Sequence, residues 1–232
     1  MPDAEIILQT EPAQGDTTVL VRKRPKPGER RVQILQALAS MLEQPGAERI
    51  TTAALAARLD VSEAALYRHF ASKAQMFEGL IEFIEQTVFS LVNQIAEREG
   101  AATPDGANDD ASASGSGHGA GVRHAGKVAA MLIQFAEKNP GMTRVMVGDA
   151  LVFENERLQQ RMNQFFDKIE SIFRQNLRGG AHDNGSATPS VDAQVSASVL
   201  TAFVVGRLQR FARSGFKRLP SEHLEASLAQ ML

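Results

Sequence analysis

The sequence predicts an all-α protein, with a three-helix N-terminal unit followed by a larger helical domain. Three observations lead there. Long stretches repeat apolar residues at helical spacing, and no run keeps a two-residue alternation bounded by turns. Gly/Ser/Ala/Asp-rich stretches without apolar periodicity, Glu99–Gly121 and Arg178–Ser190, separate the periodic segments. Between Thr51 and Phe70 two short capped segments flank a tight turn.

The elements follow in chain order. Residues 1–29 form an expected disordered tail, acidic at first and then basic and proline-broken in "VRKRPKPGERR". Ile34, Leu35, Leu38, Met41 and Leu42 make the first apolar stripe, closed by Pro45-Gly46. In "ITTAALAARLDVSEAALYRHF", Thr51 or Thr52 caps one short helix and Ser62 caps the next. Asp60-Val61-Ser62 turns the chain, and Leu55, Leu59, Val61, Leu66 and Phe70 point inward. Four alanines (Ala53, Ala54, Ala56, Ala57) let these helices pack closely, which is helix-turn-helix construction.

Ser72 is placed to cap a long helix over 72–98, striped by Phe77, Leu80, Ile81, Ile84, Val88, Leu91 and Ile95. Phe83 and Phe89 fall about 100° and 140° from Ile84 around that helix, off the core stripe, and call for cover from a neighbouring helix or a partner. A further stripe, Leu158 to Leu177, spans 154–178. "VSASVLTAFVVGRLQRF" is apolar nearly all round, as expected of a helix buried on several sides. It predicts a homodimer seam through Val199, Phe203, Val204, Leu208 and Phe211. The expected division is thus a tail (1–29), a helix-turn-helix domain (30–75) and a helical body (76–232) with flexible insertions at 99–121 and 178–190.

Composition narrows the function. Hydrophobic residues make up 43% of the 232, and no apolar run approaches a bilayer span. The acidic N-terminus does not read as a signal peptide, and with no cysteine the expected home is a reducing cytoplasm, without a membrane. The net charge of −2 hides an asymmetry: residues 22–75 hold ten Lys/Arg against five Asp/Glu. A basic segment on an acidic chain meets a polyanion with one end only.

The helix-turn-helix positions left after the inward anchors are Ser62, Glu63, Ala64, Tyr67 and Arg68. Small residues admit base edges, and an alanine methyl can touch a thymine methyl. Tyr67, His69 and the hydroxyls of Thr51 and Thr52 suit phosphate oxygens of double-stranded DNA. Lys73 beside the cap Ser72 is expected to grip a phosphate, and the basic arm ending at Arg30 and Arg31 to follow the backbone or enter a minor groove.

"TTAALAARLDVSEAALYRHFASKAQMF" resembles the DNA-binding domain of the TetR family of dimeric regulators. "FAEKNPGMTRVMVGDALVFENERLQQRMNQFFDKIE" and "RSGFKRLP" extend the likeness to that family's nucleoid occlusion branch, over roughly 30–98 and 128–220. The resemblance implies a homodimer on palindromic chromosomal sites that, once bound, antagonises the division tubulin FtsZ. By position it implies a partner surface of Phe83, Leu91, Met131, Gln134, Lys138 and Asn139, of which Leu91 and Gln134 depart from the branch's usual arginine and glycine.

Catalysis is not expected. Five histidines (69, 118, 124, 182, 223) come without H-E-x-x-H, a Gly-rich phosphate loop or G-x-S-x-G, and neither cofactor nor metal is implied. His118 and His182 read as linker residues. The division role requires no small-molecule ligand. The competing reading is a transcriptional repressor whose inducer sits among Met131, Phe135, Met146, Phe153 and Met162.

Overall fold

The computed structural model describes residues 28–44, 50–101, 116–183 and 187–232, and among them every regular element is a helix. The order is α1 (Glu29–Leu42), α2 (Thr52–Arg58), α3 (Glu63–Tyr67), α4 (Lys73–Ala101), α5 (Ser116–Lys138), α6 (Pro140–Met146), α7 (Glu156–Asp183), α8 (Pro189–Arg213) and α9 (Leu224–Met231). A 3₁₀ turn, Asp149–Leu151, links α6 to α7. The tail up to residue 27 lies outside the described residues.

α1 begins after Gly28, whose φ of 90° suits glycine alone, and carries Glu29 in its first turn where the helix dipole favours an anion. Ile34, Leu38 and Leu42, one above another at i, i+4 and i+8, are buried, each contributing about 1.5–3 kcal/mol. With Leu55, Leu66 and Phe70 they form the core of a small head, α1 to α3. Leu35 and Phe70 press on α4 at Gly79, where an added Cβ would lie 3.2 Å from the Phe70 ring and 3.3 Å from Leu35. Head and α4 are therefore one packed unit, and α4, about 43 Å long, carries that unit into the body.

The body is built on α5, α7 and α8, whose facing residues include Val128, Leu132, Phe165, Ile169, Phe173, Leu200, Val204 and Leu208. Two glycines set the helix approaches. A Cβ at Gly121 would overlap the Asn176 carbonyl oxygen of α7, and one at Gly141 would overlap the Ala39 carbonyl oxygen of α1. Pro140 starts α6 where no amide donor is needed, and the buried Thr143 hydroxyl donates to the Ala136 carbonyl (2.7 Å) across the α5–α6 joint.

Both expected insertions are shorter than composition suggested. α4 continues to Ala101, α5 starts at Ser116, and α7 runs on to Asp183. "SGHGAG" reads as a linker by composition, yet its last glycine is the contact that lets α5 lie against α7. Of what remains of the insertions, 102–115 and 184–186 fall outside the described residues.

The seam expected on α8 also needs correction. Val204, Leu208 and Phe211 are 1%, 0% and 2% exposed, inside the chain's own core. They fall about 180°, 140° and 160° around the helix from Val195. The open side runs instead through Val191, Val195, Val199, Ala202 and Gly206, with Phe203 at its edge. The helix is apolar on two faces, and only one of them is needed for the chain's own packing.

Candidate nucleic-acid interface

Local hydrogen bonds shape α2, α3 and the turn between them. Thr51 is extended (φ −99°, ψ 153°) and its hydroxyl oxygen accepts from the Ala54 amide at 3.2 Å. Ser62 repeats the arrangement for α3, accepting from the Ala65 amide at 3.3 Å. Such caps satisfy an amide that the first turn leaves unpaired. Asp60 takes the left-handed conformation at φ 54°, and the Val61 amide then closes the turn on the Ala56 carbonyl (3.0 Å). Thr52 does not cap; its hydroxyl donates to Glu63 at 2.6 Å, tying the start of α2 to the start of α3.

α3 is short because the chain turns at Arg68 and His69 to bury Phe70, whose amide bonds to the Leu66 carbonyl (3.1 Å). With Leu66 and Phe70 inside, Ser62, Glu63, Ala64, Tyr67, Arg68 and His69 are exposed together, Tyr67 at 45%. Ala64, Tyr67 and Arg68 share one helix face. Arg31 lies across this end of the head: its guanidinium donates to the His69 carbonyl (2.9 Å) and sits 4.1 Å over the Phe70 ring. Arg30 bonds to Gln33 at 3.0 Å. Both contacts hold the start of α1.

Lys73 is placed otherwise than expected. Its ammonium pairs with Glu154, just before α7, and lies 5.7 Å over the Phe77 ring. Only 10% of the Glu154 side chain is exposed, and so desolvated a carboxylate requires a counter-ion. Ser72 does cap α4, accepting from the Gln75 amide at 3.2 Å, while the Gln75 side chain accepts from the Ala71 amide at 2.8 Å.

A second surface forms where α4 and α5 lie antiparallel. The Glu99 carboxylate near the end of α4 holds His124 and Lys127 on α5, the latter at 2.7 Å. Burial pushes the Glu99 carboxyl up, but the hydrogen bonds from Lys127 and His124 outweigh it and hold the group below its ordinary 4.5. With equal rise on both helices, this register sets Leu91 level with Gln134, and Phe83 near the Lys138–Asn139 end. Phe83 is 45% exposed, Gln134 and Lys138 are exposed, and Leu91, Met131 and Asn139 are half-buried. The Asn139 amide donates to the Phe135 carbonyl (2.7 Å), which fixes the corner. Phe89, the other off-stripe aromatic, packs on Phe165 with ring centroids 5.5 Å apart; the chain covers it itself.

The five residues of the inducer-pocket reading do not converge. Phe153 is 68% exposed, Met131 stands half-buried on the α5 surface, and Met146 and Met162 border an open recess of about 310 Å³ beside Gly148, Asp149 and Gln159. Among the described residues no cluster of His, Asp or Glu is arranged to hold a metal.

Comparison with known proteins agrees with this layout. Residues 34–80 match the domain described as bacterial regulatory proteins, tetR family, and residues 122–232 match the SlmA-like C-terminal domain of tetracyclin repressor-like proteins. The chain is 48% identical to nucleoid occlusion factor SlmA of Aliivibrio fischeri (strain MJ11) over 200 residues, covering 86% of this chain and 92% of that one. It is 46% identical to the factor of the same name from Idiomarina loihiensis, over 85% of this chain and 90% of the other. Among solved structures, a TetR-family transcriptional regulator from Bordetella parapertussis superposes with a TM-score of 0.62 at 14% identity, covering 88% and 95% of the two chains. The fatty acid degradation regulator FadR of Bacillus halodurans gives 0.64 at 13%, covering 90% and 96%. These two structures share the fold, and the sequence relatives carry the assignment: the chain belongs to the SlmA family of TetR-type regulatory proteins.

Proposed function

We propose that this protein is a DNA-bound nucleoid occlusion factor: a homodimer on palindromic chromosomal sites that, while bound, antagonises FtsZ polymerisation. The head, ending near residue 75, presents Ala64, Tyr67 and Arg68 to the major groove, with Thr51, Tyr67 and His69 toward phosphates and the basic arm before Gly28 along the backbone. The dimer forms along the open side of α8, through Val191, Val195, Val199, Ala202 and Gly206. The body meets FtsZ with Phe83, Leu91, Met131, Gln134, Lys138 and Asn139. The protein acts in the cytoplasm on the nucleoid, and needs neither a cofactor nor an inducer.

One observation carries the reading. Phe83 of the proposed partner surface and the proposed groove face share one packed unit, because α4 braces the head through Phe70 and exposes Phe83. An exposed large apolar side chain on α4 and an exposed lysine at the end of α5 suit a partner segment with apolar and acidic residues.

The test is light scattering of assembling FtsZ with the protein alone and with the protein on its operator DNA. Disruption is expected only in the second case. An inert result on verified specific DNA would sink the division role. Phe83→Ala and Lys138→Ala should leave DNA affinity intact while weakening the effect on FtsZ.

A further inference from the structure

Besides the apolar packing of α4 on α5, α6 and α7, the head unit meets the body at two places of different character. One is the close approach of α1 and α6, where Gly141 lies on the Ala39 carbonyl and leaves no room for a side chain. The other is a row of ion pairs between α4 and the start of α7. Lys73 pairs with Glu154, Glu78 with Arg157, and Glu85 with Arg161, the last at 2.6 Å from one guanidinium nitrogen and 3.4 Å from a second. The pairs follow the same order on both segments, so they strap α4 along α7. Glu85 and Glu154 are the more buried partners, and burial strengthens what solvent would screen.

The head cannot shift without α4, since Leu35 and Phe70 clamp it at Gly79. α7 in turn packs beside α8, which carries the open seam. In a dimer closed along that seam, one path from the two-fold axis to each α3 runs α8, α7, ion pairs, α4. Two heads reading one face of a duplex must sit about 34–36 Å apart, and one base pair changes that distance by roughly 3.4 Å.

We propose that Glu154, Arg157 and Arg161 are positioning residues that, by holding Lys73, Glu78 and Glu85, set the separation of the two heads and so select the half-site spacing of the operator. The proposal rests on the dimeric, palindrome-binding function given above. The close α1–α6 contact is the pivot, and the ion pairs add to the apolar packing of α4 in resisting rotation about it.

The experiment measures affinity of the full chain for palindromes whose half-sites are drawn together or apart by one base pair, for wild type, Glu85→Arg, Arg161→Glu, the double swap and Glu154→Gln. Wild type should prefer one spacing by about tenfold. Glu85→Arg adds positive charge and should raise affinity for all DNA, while Arg161→Glu should lower it; both should reduce the spacing preference to about twofold. The double swap should restore it. Glu154→Gln keeps an acceptor of the same shape, so it preserves the fold, and it should flatten the profile while freeing Lys73 to strengthen binding to every spacing. Single variants and Glu154→Gln that keep the wild-type profile would overturn the proposal while leaving the DNA-binding reading intact. A wild-type protein indifferent to spacing would overturn that reading, and the proposal with it.

Discussion

Where α5, α7 and α8 meet, the contacts are dry: Leu132, Phe165, Ile169, Phe173, Leu200 and Leu208 are buried against one another. Where α4 passes α7, the pairs Lys73–Glu154, Glu78–Arg157 and Glu85–Arg161 are added to apolar packing such as Phe89 on Phe165, with Arg157 exposed. A packed apolar interface tolerates few arrangements, because any shift opens voids. Charged pairs keep most of their attraction over small displacements, and salt or substitution tunes them. The body is thus held by its apolar packing, while along α4 and α7 charges that salt or substitution can tune are added to the packing.

The comparison can be broken most sharply on its dry side. Phe173→Ala should cost about 3–5 kcal/mol, read as a lowered denaturant midpoint, since no water-filled alternative exists for a fully buried ring. A loss below about 1 kcal/mol would show that the body is looser than its packing indicates.

On the wet side the effects are smaller. Tyr67→Phe removes a hydroxyl from a half-exposed ring and should leave stability alone. It should weaken DNA binding by about 1 kcal/mol, equally for specific and unrelated sequences, because a phosphate contact reads no base. Unchanged affinity in a titration at fixed salt would remove Tyr67 from the interface.

The smallest effect concerns the α4–α5 clamp and sharpens the comparison through pH. The folded Glu99 carboxyl lies below its unfolded value, so its contribution is present above the ordinary 4.5 and is lost as pH falls through the folded value. Glu99→Gln should therefore be less stable than wild type at neutral pH, by under about 1 kcal/mol for so accessible a pair. The two should converge below pH 4.5 in melts followed by circular dichroism. A gap that persists into acid would point to packing rather than charge.

Legibility in the sequence divides along the range of the interactions. The caps of α2, α3 and α4 were readable because Thr51, Ser62 and Ser72 bond to amides three residues on. Asp60 is readable as a turn because aspartate tolerates the left-handed backbone that the turn requires. The pairing of Lys73 is not legible locally, because its partner Glu154 stands 81 residues away. Gly121 reads as linker by composition and no local pattern marks Gly141; each has its role in a carbonyl oxygen of a distant helix. On α8 the apolar residues were evident, but pattern alone does not say which apolar face a chain uses for itself.

By itself the sequence determined the helical class, the two capped helices with Asp60 between them, and the side of α3 left bare, since periodicity and caps act within one or two turns. Only the tertiary structure decided that Lys73 faces Glu154, that Val204, Leu208 and Phe211 are core while Val195 and Val199 are not, and that α4 is strapped to α7. Those outcomes depend on which helices meet and at what distance, and burial and Coulomb energy take values only once they do.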